Sequence, residues 1–145
     1  TSQGKSIRFD QEEARPMGRP SMGVRGVRLK PKDYCVEMDV VRKPEESEML
    51  IVMENGLGKS TKITNYRLQG RGGSGVKTAK VTTKTGKVVG AKVIFGKPDA
   101  DLMMFSKLGQ VIRLNLKDEK IFPEKKRWVF WMKKEMRLRM VDIVS

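Results

Sequence analysis

Two glycine-containing stretches have the residue types and spacing to handle a phosphate. Gly58-Lys59-Ser60-Thr61 matches the end of a nucleotide-binding loop, whose backbone amides cradle phosphates while the lysine neutralises charge. That pattern needs a glycine five residues before Gly58, where this chain has Met53, and a helix afterwards, whereas Thr61 to Tyr66 reads as strand. Gly70-Arg71-Gly72-Gly73-Ser74-Gly75 formally satisfies the dinucleotide pattern G-x-G-x-x-G, yet the segment after it is strand-like and basic. Glycines packed this densely around Arg71 have two readings. One is a tight loop whose exposed amides let a phosphate backbone approach, the other a turn between structural units whose glycines satisfy geometry alone.

Composition removes most other chemistry. There is no histidine and a single cysteine, so disulfides within the chain, Cys/His zinc sites and histidine-based triads are excluded. Cys35, between Tyr34 and Val36, reads as a buried small hydrophobe. No catalytic residue, metal ligand or cofactor site is assigned to the chain. The 31 Lys and Arg against 17 Asp and Glu give a net charge of +14, which points to a densely anionic partner, nucleic acid ahead of membrane. No run approaches the roughly 20 apolar residues that span a bilayer and no signal peptide opens the chain, so a cytoplasmic location without membrane attachment is expected.

The elements that position the glycine loops emerge from self-comparison. Gly18-Arg19 followed by Gly23-Val24-Arg25-Gly26-Val27-Arg28-Leu29 recurs as Gly70-Arg71 followed by Gly75-Val76-Lys77-Thr78-Ala79-Lys80-Val81, an offset of 52 residues. Gly4-Lys5-Ser6-Ile7-Arg8-Phe9 is echoed 105 residues later by Gly109-Gln110-Val111-Ile112-Arg113-Leu114, with Gly56 as the middle copy. The apolar runs Met49–Met53 and Leu102–Phe105 precede the later copies and are short enough for buried strands, so the unit reads as strand, turn, strand. Between these hairpins the alternation of Val24, Val27 and Leu29 and the β-formers from Val76 to Thr83 suggest further strands, then a turn at Lys84-Thr85-Gly86-Lys87 and a strand over Val88–Phe95. About four short strands per 52 residues predicts an all-β, propeller-like architecture of about two blades.

Lysine and arginine on alternating positions are often no more than a solvated face. Here Arg19, Arg25, Arg28 and Lys30 are followed by Lys59, Lys62, Arg67, Arg71, Lys77 and Lys80, several at corresponding places in successive units. Stacked units would align part of this set into a track for duplex phosphates, and sparse aromatics favour backbone contact over base stacking.

The residues Arg15-Pro16-Met17-Gly18-Arg19 with Gly23–Leu29, then Asn55–Thr61, then Tyr66-Arg67-Leu68-Gln69-Gly70-Arg71-Gly72-Gly73-Ser74-Gly75-Val76, resemble the family of DNA gyrase A C-terminal domains over residues 1–118. The resemblance implies part of a β-pinwheel that binds and wraps DNA within a type IIA topoisomerase, supporting ATP-dependent negative supercoiling. The partners it implies are double-stranded DNA, the gyrase B protein and the remainder of gyrase A, in the cytoplasm and on the chromosome. ATP and Mg are implied only for the whole enzyme, none for this chain. Strand cleavage in the family uses a tyrosine of a separate domain, and neither Tyr34 nor Tyr66 stands in that context. The family's box motif, Gln-Arg-Arg-Gly-Gly-Lys-Gly, is approximated by Gln69, Gly70, Arg71, Gly72, Gly73, Ser74 and Gly75, with glycine and serine at two of its basic positions. Topoisomerase IV shares the fold, and a free-standing architectural DNA- or RNA-binding protein is the alternative reading. Residues 119–145 form a basic tail outside the family pattern, in which Trp128, Phe130 and Trp131 stand among cations and the expected glycines are missing.

Overall fold

A computed structural model describes residues 1–96, 99–117, 128–129 and 138–144. The runs of β-formers become strands because each finds a partner. β1 (Lys5–Ser6) pairs with β4 (Val76–Lys77). β2 (Ser47–Met53) lies between β3 (Leu57–Lys62) and β5 (Val88–Phe95), with β8 (Trp128–Val129) beyond β3. β6 (Asp101–Ser106) lies between β7 (Val111–Asn115) and β9 (Leu138–Val144). Every one of these pairings is antiparallel. Helical geometry among the described residues is limited to three single-turn 3-10 segments, Gln11–Glu13, Pro44–Glu46 and Ile63–Asn65. The architecture is all-β, as expected, with two multi-stranded blades and a fragment of a third.

The repeat is written into hydrogen bonds as well as letters. The amides of Gly4, Gly56 and Gly109 donate to Thr1 O at 3.0 Å, Met53 O at 3.0 Å and Ser106 O at 3.2 Å, each closing a turn three residues back. All three glycines are left-handed, with φ of 76°, 81° and 77°, a conformation that disfavours L side chains by about 1–2 kcal/mol. Register repeats too. Lys5 stands opposite Lys77 and Leu57 opposite Val129, so both members of the pair advance by 52 residues. In each case the outer strand comes from the following unit.

Burial explains the different appearance of the two apolar runs. β2 is buried on both faces: Leu50 and Val52 pack with Leu102, Met104 and Leu138, while Ile51 and Met53 pack with Val88 against Val36, Ala79 and Val81. A strand covered on both sides reads as the continuous run Met49–Met53. β6 alternates instead, with Leu102, Met104 and Ser106 buried and the residues between them half-buried. Each fully buried aliphatic side chain contributes about 1.5–3 kcal/mol, so the blade-to-blade cluster is the main adhesive between the sheets.

Four expectations need correction. Of the strand expected from Val76 to Thr83 only Val76–Lys77 forms, as β4, because the Thr78 and Ala79 amides both turn to Gly4 O, at 2.8 and 3.0 Å. Val24, Val27 and Leu29 do not form a strand; that segment is irregular, with Gly23 left-handed at φ 75°, and it bonds to a glycine loop instead of a ladder. The strand expected over Thr61–Tyr66 stops at Lys62 and turns through Ile63–Asn65, where Tyr66 N–H closes onto Ile63 O at 2.9 Å. Cys35 is exposed, its thiol donating to Glu37 O at 3.3 Å, while its neighbour Val36 is the residue that packs against Ile51, Met53 and Val88. By contrast, the turn before β5 and the full span Val88–Phe95 lie where expected. Of residues 119–145, two segments join the sheets as β8 and β9, and Leu138 enters the blade-to-blade core. Phe130 and Trp131 lie outside the described residues.

Candidate nucleic-acid interface

The two glycine motifs part company in three dimensions. Gly58, Lys59, Ser60 and Thr61 lie within β3, paired with β2 from Val52 back to Met49, and the Ser60 hydroxyl donates to the Glu48 carboxylate. A strand in a ladder presents no nest of convergent amides, so this segment is not built to cradle a nucleotide. Gln69, Gly70, Arg71, Gly72, Gly73, Ser74 and Gly75 do form a loop, and it leads into β4, not a helix.

That loop is stapled between two other stretches of chain. On one side Gln69 N–H donates to Arg8 O at 2.8 Å. On the other, Gly72 N–H donates to Gly26 O and Arg28 N–H to Gly73 O, both at 2.8 Å. Gly75 is required where it stands: its φ is 68°, and a Cβ there would lie 2.5 Å from Ser6 O. Beneath the loop's exit the Tyr66 hydroxyl hydrogen-bonds Thr78 Oγ1 at 2.6 Å in the interior, and Arg8 Nη1 donates to Tyr66 O at 3.2 Å.

Arg71 is turned toward the protein. Its amide donates to Glu13 Oε2 at 2.7 Å, its Nε to Glu13 O at 3.0 Å and its Nη1 to Arg25 O at 2.8 Å. A carboxylate thus already occupies an anion-accepting amide of the loop, and the guanidinium joins the stretches around Glu13 and Arg25. Three of the loop's amides, those of Gln69, Arg71 and Gly72, are spent internally, which favours the geometric reading of these glycines over the phosphate-cradling one.

Several of the predicted cations remain exposed. Arg19, Arg25, Arg28, Lys62, Arg67, Lys77 and Lys80 are exposed, and their side chains form no ion pair among the described residues, whereas Lys59 and Arg71 are half-buried and engaged. Other cations hold carboxylates, as Lys92 does with Glu37 and Asp142, and Lys117 with Asp99. The loop brings Arg25 and Arg28 beside Arg71 through the bonds at Gly26, Gly73 and Arg25. Lys77 comes directly afterwards on β4, opposite Lys5 of β1. Like charges facing across an antiparallel pair destabilise it, so this juxtaposition is one that a bound anion would relieve. Sequence reasoning does not single out Lys5; its signal is its repeat equivalence to Leu57, which only the pairing of β1 with β4 turns into proximity to Lys77. No hydrogen bond or strand pairing ties Arg19, Lys62 or Arg67 to this group among the described residues.

Among the described residues, no group of His, Cys, Asp and Glu could hold a metal ion, and no helix is long and apolar enough to cross a membrane.

Residues 1–42, 48–94 and 100–118 match the family described as DNA gyrase C-terminal domain, beta-propeller. The chain is 41% identical to the DNA gyrase A protein of Staphylococcus epidermidis over 118 residues, and 42% identical over the same length to that of Staphylococcus aureus. These alignments take in 81% of this chain and 13% of the relative, so the chain spans about one eighth of the length of those relatives. Among solved structures, the C-terminal domain of DNA topoisomerase IV superposes with a TM-score of 0.83 over 99% of this chain and 44% of that one, at 20% identity, a likeness of fold. With the three-fold recurrence of its glycine turns and the shared register of its blades, the chain belongs to the β-propeller family of DNA gyrase A C-terminal domains.

Proposed function

We propose that this chain is a duplex-binding, DNA-wrapping portion of a type IIA topoisomerase, working as part of gyrase A on the cytoplasmic chromosome. Its partners in this reading are double-stranded DNA, the gyrase B protein and the remainder of gyrase A. The chain supplies surface, and strand cleavage and ATP hydrolysis belong to other parts of the enzyme.

The observation that carries the reading is the set of exposed cations, without ion pairs among the described residues, on a chain of net charge +14. Each cation that meets a phosphate releases counterions, which favours binding independently of base sequence. Blades that share one register 52 residues apart set their surfaces at a regular interval along a bent duplex, with Leu57 and Val129 standing where Lys5 and Lys77 stand in the preceding unit.

Sealing nicked circular DNA with ligase in the presence of increasing amounts of the chain tests this. Wrapping leaves a one-handed, concentration-dependent shift in linking number. Binding with no shift would overturn the wrapping reading and leave an architectural DNA-binding module.

A further inference from the structure

A cleft of about 260 Å³ opens beside the glycine loop, lined by Lys5, Arg28, Lys30, Asp33 and Ser74. We propose that it is a discrete phosphate-binding site, which on the reading above seats one phosphate group of the duplex backbone between Lys5, Arg28, Lys30 and the Ser74 hydroxyl.

Chemistry and geometry agree on the ligand. Three side-chain cations stand against one side-chain carboxylate in its lining, which also includes Thr1. Lys77, across the strand pair from Lys5, adds to the field. The Lys5, Arg28 and Lys30 side chains form no ion pair or hydrogen bond among the described residues. The volume falls below the roughly 300–1,000 Å³ typical of drug-sized ligands, which suits a small, highly charged group. Phosphate oxygens take charge-assisted bonds from Lys and Arg, and a serine hydroxyl can donate one more.

The walls are held before any ligand arrives. Arg28 N–H is bonded to Gly73 O at 2.8 Å, which fixes the Arg28–Lys30 wall against the loop carrying Ser74. Asp33 Oδ1 accepts from Ser2 Oγ at 2.8 Å and Gln3 N–H at 2.9 Å, tying the far wall to the stretch that leads into β1 and Lys5. Those bonds commit the Asp33 carboxylate to the protein, so it braces the cleft.

The test pairs duplex binding with amide chemical shifts, using the whole chain, Lys5→Gln/Lys30→Gln, the retaining variant Lys5→Arg/Lys30→Arg, and Ser74→Asp. In fluorescence anisotropy across a salt series, the glutamine variant should flatten the slope of log K against log salt by about one to two units, with the arginine variant restoring it. Ser74→Asp should weaken binding without touching a cation. Duplex should shift the Ser74 and Lys30 amides in the unmodified chain. If the unmodified chain binds duplex steeply while both glutamine and aspartate variants match it, the cleft is not the site, although the broader DNA-binding reading stands. If duplex does not bind but inorganic phosphate moves those amides in the unmodified chain and not in the glutamine variant, the site takes free phosphate and the DNA reading falls. Silence of those amides to both probes overturns the proposal.

Discussion

Replacing Arg71 by glutamine separates a structural arginine from a DNA-contacting one. Its guanidinium holds Glu13 O at 3.0 Å and Arg25 O at 2.8 Å, joining stretches 58 and 46 residues away in sequence. Hydrogen bonds to charged groups contribute about 1.5–3 kcal/mol when sheltered, and these are exposed to solvent, so roughly 1–2 kcal/mol for the two together is the expected loss. In a chain of this length that lowers the thermal midpoint by about 2–8 °C. Because both bonds point inward, the salt slope of duplex binding should change by well under one unit. Lys77→Gln is the counterpart: exposed and opposite Lys5, it should leave stability within about 0.5 kcal/mol of the original while flattening the slope by about one unit. Differential scanning fluorimetry and salt-series anisotropy on the two variants read both quantities. An Arg71→Gln protein with an unchanged midpoint and a slope flattened like that of Lys77→Gln would refute the reasoning.

Two glycines with the same backbone sign should respond differently to alanine. At Gly75 a Cβ would meet Ser6 O at 2.5 Å and force β4 from β1, whereas at Gly109 nothing lies within 4 Å and only the left-handed strain of about 1–2 kcal/mol applies. Urea midpoints should therefore fall further for Gly75→Ala, and equal losses would mean that β1 and β4 do not constrain each other. Burial alone would raise the Asp33 carboxyl, but bonds from Ser2, Thr1 and the amides of Gln3 and Tyr34 outweigh it and hold the group below the usual carboxylate range. A depressed native value means that its stabilisation is complete above the unfolded value of about 3.9 and is lost as pH falls through the native one. Unfolding by urea from about pH 6 down to about pH 2 should show that loss in the unmodified chain and a flatter profile for Asp33→Asn; parallel profiles would exclude Asp33 as a contributor.

Much of the architecture was legible in the letters because repeat, alternation and turn glycines are local signals. Gly4, Gly56 and Gly109 mark turns that need a left-handed residue, and the run Met49–Met53 announces a strand buried on both faces, so the period and the hairpins could be read directly. Charge excess could be read in the same way, since composition is independent of path. What tertiary structure decided was the fate of individual polar groups. Arg19 and Arg71 occupy equivalent places in the repeat, yet Arg71 spends its guanidinium on carbonyls that no spacing rule brings near it. Cys35 sits among apolar letters but outside any covered face, and burial depends on what packs above a residue. Lys5 becomes part of a basic cleft through the pairing of β1 with a strand 72 residues further on. Between residues 119 and 145 the glycine pattern is gone, yet β8 and β9 still take their places, because backbone hydrogen bonds and a buried Leu138 suffice to seat a strand without its customary turn residues.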